Sequence, residues 1–181
     1  MLYILLAHGF EEIEALGTAD FLRRCGLEVK IASVEGVRSV TGSHGVTVLT
    51  DCLLRQSNVM QSQGLILPGG MPGADKLKNT VMVKKALVSM AKKNKLIAAI
   101  CAAPMALGAL GLLKGVKATC YPGFEPHLEG AVIEDALVVE DANFITAKGP
   151  GATIDFAAAI ARRFVSEEIV EGIKRGMIIG E

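Results

Sequence analysis

The sequence predicts an α/β fold in which helices cover both faces of a mostly parallel sheet. Strand-like apolar runs alternate with stretches of helical periodicity, which is the order that successive βα units produce. The runs 2–7, 64–68 and 95–100 are almost entirely apolar, as expected for strands buried on both faces. The length of 181 residues suits one domain over 1–181, and the chain shows no internal repeat or linker. We therefore predict a flavodoxin-like three-layer sandwich.

The other elements follow from periodicity and from the residues that begin or end them. A helix is predicted to follow the first strand and to stop at Gly26, because basic residues precede this glycine. The segment 28–34 alternates as a second strand, whereas 37–55 is irregular and favours only a short hairpin. A last helix is predicted to start at Ser166, which precedes two glutamates. Further predictions are helices over 81–94, 103–113 and 151–164 and a hairpin over 136–147.

The composition and charge of the chain argue against several classes of function. Lysine plus arginine and aspartate plus glutamate number 19 each, so nothing favours a nucleic-acid partner. No stretch reaches the roughly 18 apolar residues that a membrane span requires. The apolar N-terminal run lacks a basic region before it and leads into three glutamates, so we interpret it as a strand and not as a signal peptide. We expect a cytoplasmic protein without membrane or nucleic-acid partners.

The spacing of cysteines and histidines predicts neither a metal site nor a disulfide framework. The four cysteines form no CxxC pair, and the two nearest in sequence, Cys101 and Cys120, are 19 residues apart. No two histidines have the spacing of metal ligands, so His8, His44 and His127 are interpreted as structural or solvated. The glycine patterns GxGxxG and GxxxxGK are absent, which argues against a nucleotide site. We expect no metal and no organic cofactor.

Three unusual stretches follow predicted strands. The first strand runs into 8–14. The strand 64–68 ends at a proline that is followed by two glycines, and the strand 95–100 runs into Cys101. Ligands bind outside the carboxyl ends of strands in open parallel sheets, and those ends share one edge. A cysteine at a strand-to-helix turn is exposed above the sheet, beside a helix N-terminus that stabilises a thiolate. We therefore predict that Cys101 is a reactive thiol of lowered pKa, against the alternative of an inert buried residue.

Backbone amides and carboxylates accompany this cysteine in the predicted arrangement. The backbone N–H groups of Gly70 and Ala102 are candidates for an oxyanion hole, although the glycines also suit an ordinary tight turn. Glu11, Glu12 and Glu14 open the first helix, where they complement the helix dipole. Crowding raises the pKa of a carboxyl group, which would suit one of them to proton transfer. The residues alone leave both interpretations open.

Four motifs in this order and spacing resemble the ThiJ/PfpI superfamily. They are GFEEIE (9–14), LPGGMPGADKL (67–77), IAAICAAP (97–104) and KGPGAT (148–153). Within the superfamily, the chain is most similar to the Parkinson-disease deglycase subgroup and its bacterial relatives. The resemblance covers nearly the whole chain. It implies a homodimer, with 37–55 and the first helix at the interface and His44 among the interface residues.

The resemblance also implies roles for individual residues. Cys101 matches the functional cysteine of the family, and Glu14 matches the carboxylate that hydrogen-bonds its sulfur. The oxyanion-hole amides fall on Gly70 and Ala102, and the family cysteine is prone to oxidation to a sulfinic acid. Supporting loop positions are Gly69, Gly149 and Pro150.

The chain departs from the family pattern at two positions near the cysteine. Human-type members have a catalytic histidine where this sequence has Tyr121, and a phenol is a poor base near neutral pH. We expect Tyr121 to contribute to substrate binding. The protease branch has a histidine directly after its nucleophile, where this chain has Ala102, and the amidotransferase pattern GxCxGxQ is absent. Protease and amidotransferase activities are therefore not expected.

The leading prediction is a cysteine-dependent, cofactor-free enzyme that acts on small reactive carbonyl compounds, as a glyoxalase or deglycase. In this prediction Cys101 is the nucleophile and Glu14 transfers the proton. The alternative is a redox-responsive stress protein or chaperone in which Cys101 senses oxidants. The replacement of the family histidine by Tyr121 favours this alternative.

Overall fold

The computed structural model describes residues 1–180 as a layered arrangement of strands and helices. The strands are β1 (Leu2–Leu6), β2 (Val29–Ser33), β3 (Ser39–Thr41), β4 (Thr47–Leu49), β5 (Cys52–Leu53), β6 (Gly64–Leu67), β7 (Leu96–Ile100), β8 (Lys117–Ala118), β9 (Val132–Ile133), β10 (Val138–Asp141) and β11 (Phe144–Ala147). The helices are α1 (Glu12–Arg24), α2 (Gly73–Asn79), α3 (Val81–Lys92), α4 (Pro104–Gly108), α5 (Thr153–Arg162) and α6 (Glu167–Gly176).

A seven-stranded sheet forms the middle layer, in the order β10–β11–β7–β6–β1–β2–β5. Its strands are parallel except for β10, which runs antiparallel to β11. Near the centre, Ile4 of β1 pairs with Ile31 of β2 and with Ile66 of β6. All residues of β1 and β7 are buried, as the apolar runs predicted. The predicted α/β sandwich with a mostly parallel sheet is confirmed.

Helices form the two outer layers. On one face α1 packs against α5, and on the other face α2 packs against both α3 and α4. The contact between α1 and α5 is close at Gly17, where an added Cβ would lie 2.9 Å from Cγ2 of Thr153. Within residues 1–180, no helix has both the length and the apolar composition needed to cross a membrane.

Most predicted elements are present, but one predicted helix is shorter than expected and one helix was not predicted. The helix predicted over 103–113 is shorter in the structure, where α4 ends at Gly108. It ends there because Gly108 lies against the His127 carbonyl and the chain then turns at Gly111, which has a φ of 66°. Helix α2 was not among the predicted elements. The irregular segment 37–55 contains the antiparallel β3–β4 hairpin, in which Val40 pairs with Val48. The hairpin predicted over 136–147 is formed by β10 and β11.

The strand order brings the three unusual stretches together. Strands β1, β6 and β7 are direct neighbours in the sheet and run parallel, so their carboxyl ends lie at the same edge. Two backbone hydrogen bonds join the loops that follow β1 and β6: Glu11 N donates to Gly69 O at 2.9 Å, and Gly73 N donates to Gly9 O at 3.2 Å. The loops at this edge form the candidate site.

Candidate active site

Cys101 lies in a sharp turn directly after β7. Its φ is 63°, in the left-handed region that residues with a side chain rarely adopt. The backbone on both sides is held in place: Cys101 N donates to Ala147 O at 2.9 Å, and Cys101 O accepts from Tyr121 N at 2.9 Å. The side chain is buried, and Pro104 begins the next helix. The turn thus orients the thiol toward the edge of the sheet, where the loops after β1 and β6 meet.

Glu14 supplies a buried carboxyl group beside this thiol. It lies in the first turn of α1 and is 1% exposed. Its Oε2 accepts a hydrogen bond from Gly69 N at 2.7 Å, and its own N–H donates to Oε2 of Glu11 at 2.7 Å. Its other oxygen, Oε1, is buried without a hydrogen bond of good geometry. The carboxyl group is thus fixed by backbone contacts and keeps one oxygen unused.

Gly69 is the point at which the site residues meet. A Cβ added to this glycine would lie 2.6 Å from Cβ of Cys101, 2.9 Å from Oε2 of Glu14 and 3.0 Å from N of Ala102. No side chain other than hydrogen fits in this space. The backbone N–H groups of Gly70 and Ala102 are close enough to the sulfur of Cys101 to lower the pKa of the thiol. The structure therefore brings Cys101 together with four residues that were predicted near it, namely Glu14, Gly69, Gly70 and Ala102.

The electrostatics of the site differ from the sequence prediction. Burial raises the pKa of Glu14 to about 7, helped by the charge of Glu11 and opposed by the Gly69 N–H. Burial and the charge of Glu14 raise the pKa of Cys101 to about 12, against the effect of the Gly70 and Ala102 amides. The predicted lowering of the thiol pKa is therefore wrong, and burial is the main reason. Helix α4 has only one turn, and its dipole does not offset burial beside a carboxylate.

One proton is central to the chemistry of this pair. Above about pH 7 the pair of Glu14 and Cys101 carries a single negative charge. If the proton moves from sulfur to the carboxylate, the charge moves to the sulfur, where the Gly70 and Ala102 amides favour a negative charge. The Glu14 carboxylate is thus placed to take the thiol proton when a nucleophile is needed and to return it afterwards.

Residues 1–163 match the sequence profile of the DJ-1/PfpI family. The chain belongs to the DJ-1/PfpI family. The resemblance inferred from the four motifs is therefore confirmed.

Several members of the DJ-1/PfpI family are similar to the chain over most of its length. Protein dj-1beta of Drosophila melanogaster is 36% identical over 178 residues, which cover 97% of this chain and 95% of that protein. A deglycase of Pyrococcus horikoshii is 35% identical over 152 residues, which cover 81% of this chain and 88% of that protein. The solved structure of oxidized DJ-1 from Toxoplasma gondii superposes with a TM-score of 0.95 at 34% identity, covering 99% of this chain and 98% of the other.

Tyr121 and the 149–151 loop line a separate cavity, which a backbone hydrogen bond connects to the Cys101 turn. The ring of Tyr121 is about half exposed and lies close to Gly149, where an added Cβ would be 3.2 Å from Cδ2 of the tyrosine. Tyr121 also packs edge-on against Phe124, with ring centroids 6.4 Å apart. Together with Pro150 and Leu137, the tyrosine lines a cavity of about 260 Å³. The structure thus places Tyr121 beside Cys101 through the backbone, but it shows no contact between the phenol and the sulfur.

The three histidines have different surroundings. His8 is structural: its Nδ1 accepts from Thr41 N at 2.9 Å. His127 is exposed, with its ring 5.9 Å from that of Phe124. His44 is largely exposed, and its Nδ1 lies 2.9 Å from Oε2 of Glu12, a contact that the spacing of the histidines did not reveal. These two residues are 32 positions apart, so no local pattern indicates the contact.

Proposed function

We propose that the chain is a cysteine-dependent, cofactor-free enzyme that acts on small reactive carbonyl compounds, as a deglycase or glyoxalase. The meeting of a thiol, a proton-accepting carboxyl group and two amide donors around Gly69 carries this proposal. Nucleophilic catalysis requires a base within reach of the nucleophile and donors for the developing oxyanion. The deglycase name of the Pyrococcus horikoshii relative supports the same class of reaction.

The proposed reaction with methylglyoxal begins with proton transfer from Cys101 to Glu14. The thiolate attacks the aldehyde carbon, forming a C–S bond and an alkoxide that the Gly70 and Ala102 amides stabilise. Glu14 returns its proton to that oxygen and gives a hemithioacetal. The hydrogen of the former aldehyde carbon moves to the neighbouring carbonyl carbon, and the hydroxyl proton moves to the oxygen of that carbonyl. The first carbon is thereby oxidised and the second reduced, giving a lactoyl thioester. Water then hydrolyses the thioester to lactate and frees the thiol, so no external oxidant or reductant is needed.

Lactate formation from methylglyoxal without glutathione tests this proposal. We expect turnover by the wild type and its loss in Cys101→Ser and Glu14→Gln, because each change removes one member of the proton-sharing pair. Cys25→Ser is the matched control, since Cys25 is also a buried free thiol but lies at the end of α1. Absence of wild-type turnover, or retained turnover in Cys101→Ser, contradicts the proposal.

A second candidate function is a redox-responsive stress protein or chaperone. The unused Oε1 of Glu14 favours it, because a protonated carboxyl group can donate a hydrogen bond to an oxidised Cys101 sulfur. The related Toxoplasma gondii structure is described as oxidized. Titration with peroxide followed by intact-mass analysis distinguishes the two functions. A gain of two oxygens that is lost in Cys101→Ser, without carbonyl turnover, would identify the sensor.

We also propose that the chain acts as a homodimer in the cytoplasm. Ile13 on α1 and Val46 beside the β3–β4 hairpin are exposed, at 60% and 50%, and exposed apolar side chains are typical of contact surfaces. Glu12 links α1 to this hairpin through a contact with the backbone N of Val46 at 3.4 Å. All four cysteines are free thiols, which fits a reducing compartment. Sedimentation velocity of the purified chain tests the dimer.

A further inference from the structure

Glu11, Glu12 and His44 form a cluster that the proposed reaction does not use. Each offers one ligand atom, and the three atoms lie within 4.8 Å of one another. The two carboxylate side chains are 8% and 10% exposed, whereas the imidazole is 72% exposed. Two buried carboxylates therefore lie under an imidazole that is exposed in the single chain.

Each carboxylate in the cluster has one oxygen held by the backbone and the other directed at the imidazole. Oε1 of Glu12 accepts from His44 N at 2.8 Å, while Oε2 lies 2.9 Å from Nδ1 of His44. Oε2 of Glu11 accepts from Glu14 N at 2.7 Å. Oε1 of Glu11 lies 4.0 Å from the same Nδ1 and accepts no hydrogen bond from residues 1–180, although the side chain is more than nine-tenths buried. Backbone anchoring of this kind orients carboxylates for metal binding.

The distances match those between ligands of one metal ion. Zinc binds imidazole nitrogen and carboxylate oxygen at about 2.0–2.2 Å, so two ligands of one ion lie from about 2.9 Å to about 4.2 Å apart. The distances from His44 Nδ1, 2.9 Å to Glu12 Oε2 and 4.0 Å to Glu11 Oε1, lie within this range. A metal ion would replace the hydrogen between His44 and Glu12 and would also bind Oε1 of Glu11, which has no hydrogen-bond partner among residues 1–180 and is open to solvent.

We propose that Glu11, Glu12 and His44 bind a divalent transition-metal ion, with Zn²⁺ as the best match. One imidazole with two carboxylates suits zinc better than magnesium or calcium, which take oxygen ligands alone. Three protein ligands leave a further coordination position open. The site shares no ligand with the proposed carbonyl chemistry, because neither the thiol of Cys101 nor the carboxyl group of Glu14 binds the ion, although Glu11 also accepts the Glu14 N–H.

Zinc binding is measured by competition with a chromophoric chelator on the full chain. We expect one Zn²⁺ per chain in the wild type and at least about a tenfold loss of affinity in His44→Ala, since changing even an outer-shell partner of a metal ligand costs about 10–100-fold. His127→Ala is the matched control, because it removes another exposed histidine outside the cluster. His44 is largely exposed, so its removal leaves the core unchanged.

The coordinating atoms are identified with Co²⁺ as a spectroscopic probe. We expect a visible spectrum typical of nitrogen and oxygen ligands that is unchanged in Cys101→Ser and lost in His44→Ala. A thiolate-to-metal charge-transfer band that disappears in Cys101→Ser would place the ion at the cysteine and overturn the proposal. So would the absence of saturable zinc binding, or equal affinity in the wild type and His44→Ala. These measurements of metal binding do not depend on lactate formation. The metal site and the carbonyl chemistry can therefore be refuted independently of each other.

Discussion

Replacing Glu14 by glutamine should make the stability of the protein less sensitive to pH. The pKa of Glu14 is raised from 4.5 to about 7, mainly by burial. A raised pKa means that the folded protein holds the proton more tightly than the unfolded chain does. The corresponding stabilisation is fully present below pH 4.5 and is lost as the pH rises through about 7. Glutamine has almost the same shape but carries no charge at any pH, so this loss should be absent in Glu14→Gln.

The size of the effect follows from the pKa shift. Each pKa unit corresponds to about 1.36 kcal/mol, so the shift amounts to about 3 kcal/mol of unfolding free energy between the two ends of the pH range. This is a large part of the about 5–15 kcal/mol that stabilises a typical domain. The glutamine variant should therefore gain about 3 kcal/mol relative to the wild type between about pH 4 and about pH 8.

Urea denaturation across this pH range, with a chelator present to remove metal ions, measures the difference. Glu129→Gln is the matched control, because Glu129 is an exposed carboxylate that makes no hydrogen bond within residues 1–180. A constant difference between Glu14→Gln and the wild type at all pH values would refute the argument that burial raises the pKa of Glu14. A gain of similar size with rising pH in Glu129→Gln would attribute the effect to the net charge of the chain instead.

Three further changes test the site and the proposed dimer. Gly69→Ala should destabilise the protein by about 1–3 kcal/mol in urea denaturation and reduce kcat at least about 100-fold, because its Cβ would lie 2.6 Å from that of Cys101. Gly151→Ala, which has open space around its Cβ, should have neither effect. Tyr121→His should raise kcat/KM for methylglyoxal, since an imidazole is a better base near neutral pH; an unchanged pH profile would exclude that role. Ile13→Glu should convert a dimer to a monomer in sedimentation velocity, and a persistent dimer would exclude the α1 face.

The sheet and its active edge were predictable because they depend on local patterns. The apolar runs of β1, β6 and β7 indicate buried parallel strands, and the carboxyl ends of neighbouring parallel strands share one edge. The position of Cys101 at that edge follows directly. The length of α4 was not predictable in this way, because the apolar periodicity continues past Gly108. In the structure the helix ends at Gly108, where the chain contacts the carbonyl group of a residue distant in sequence.

The properties that were wrong or missed depend on contacts between distant parts of the chain. The raised pKa of Cys101 results from its burial beside Glu14, which is far away in sequence, and a strand-to-helix pattern alone suggests the opposite direction. The cluster of Glu12 with His44 joins a helix to a hairpin that had no clear signal. Sequence patterns thus identified the residues at the site, but their electrostatics required the fold.

The left-handed backbone of Cys101 holds the thiol at the candidate site but lowers the stability of the fold. A residue with a side chain at a φ of 63° carries conformational strain of about 1–3 kcal/mol, which glycine would relieve. Selection for a more stable fold alone would therefore favour loss of the thiol at this position. Directed evolution under heat, without a screen for turnover, would be expected to accumulate Cys101→Gly, and ancestral reconstruction would find the cysteine retained only where its reactivity is used.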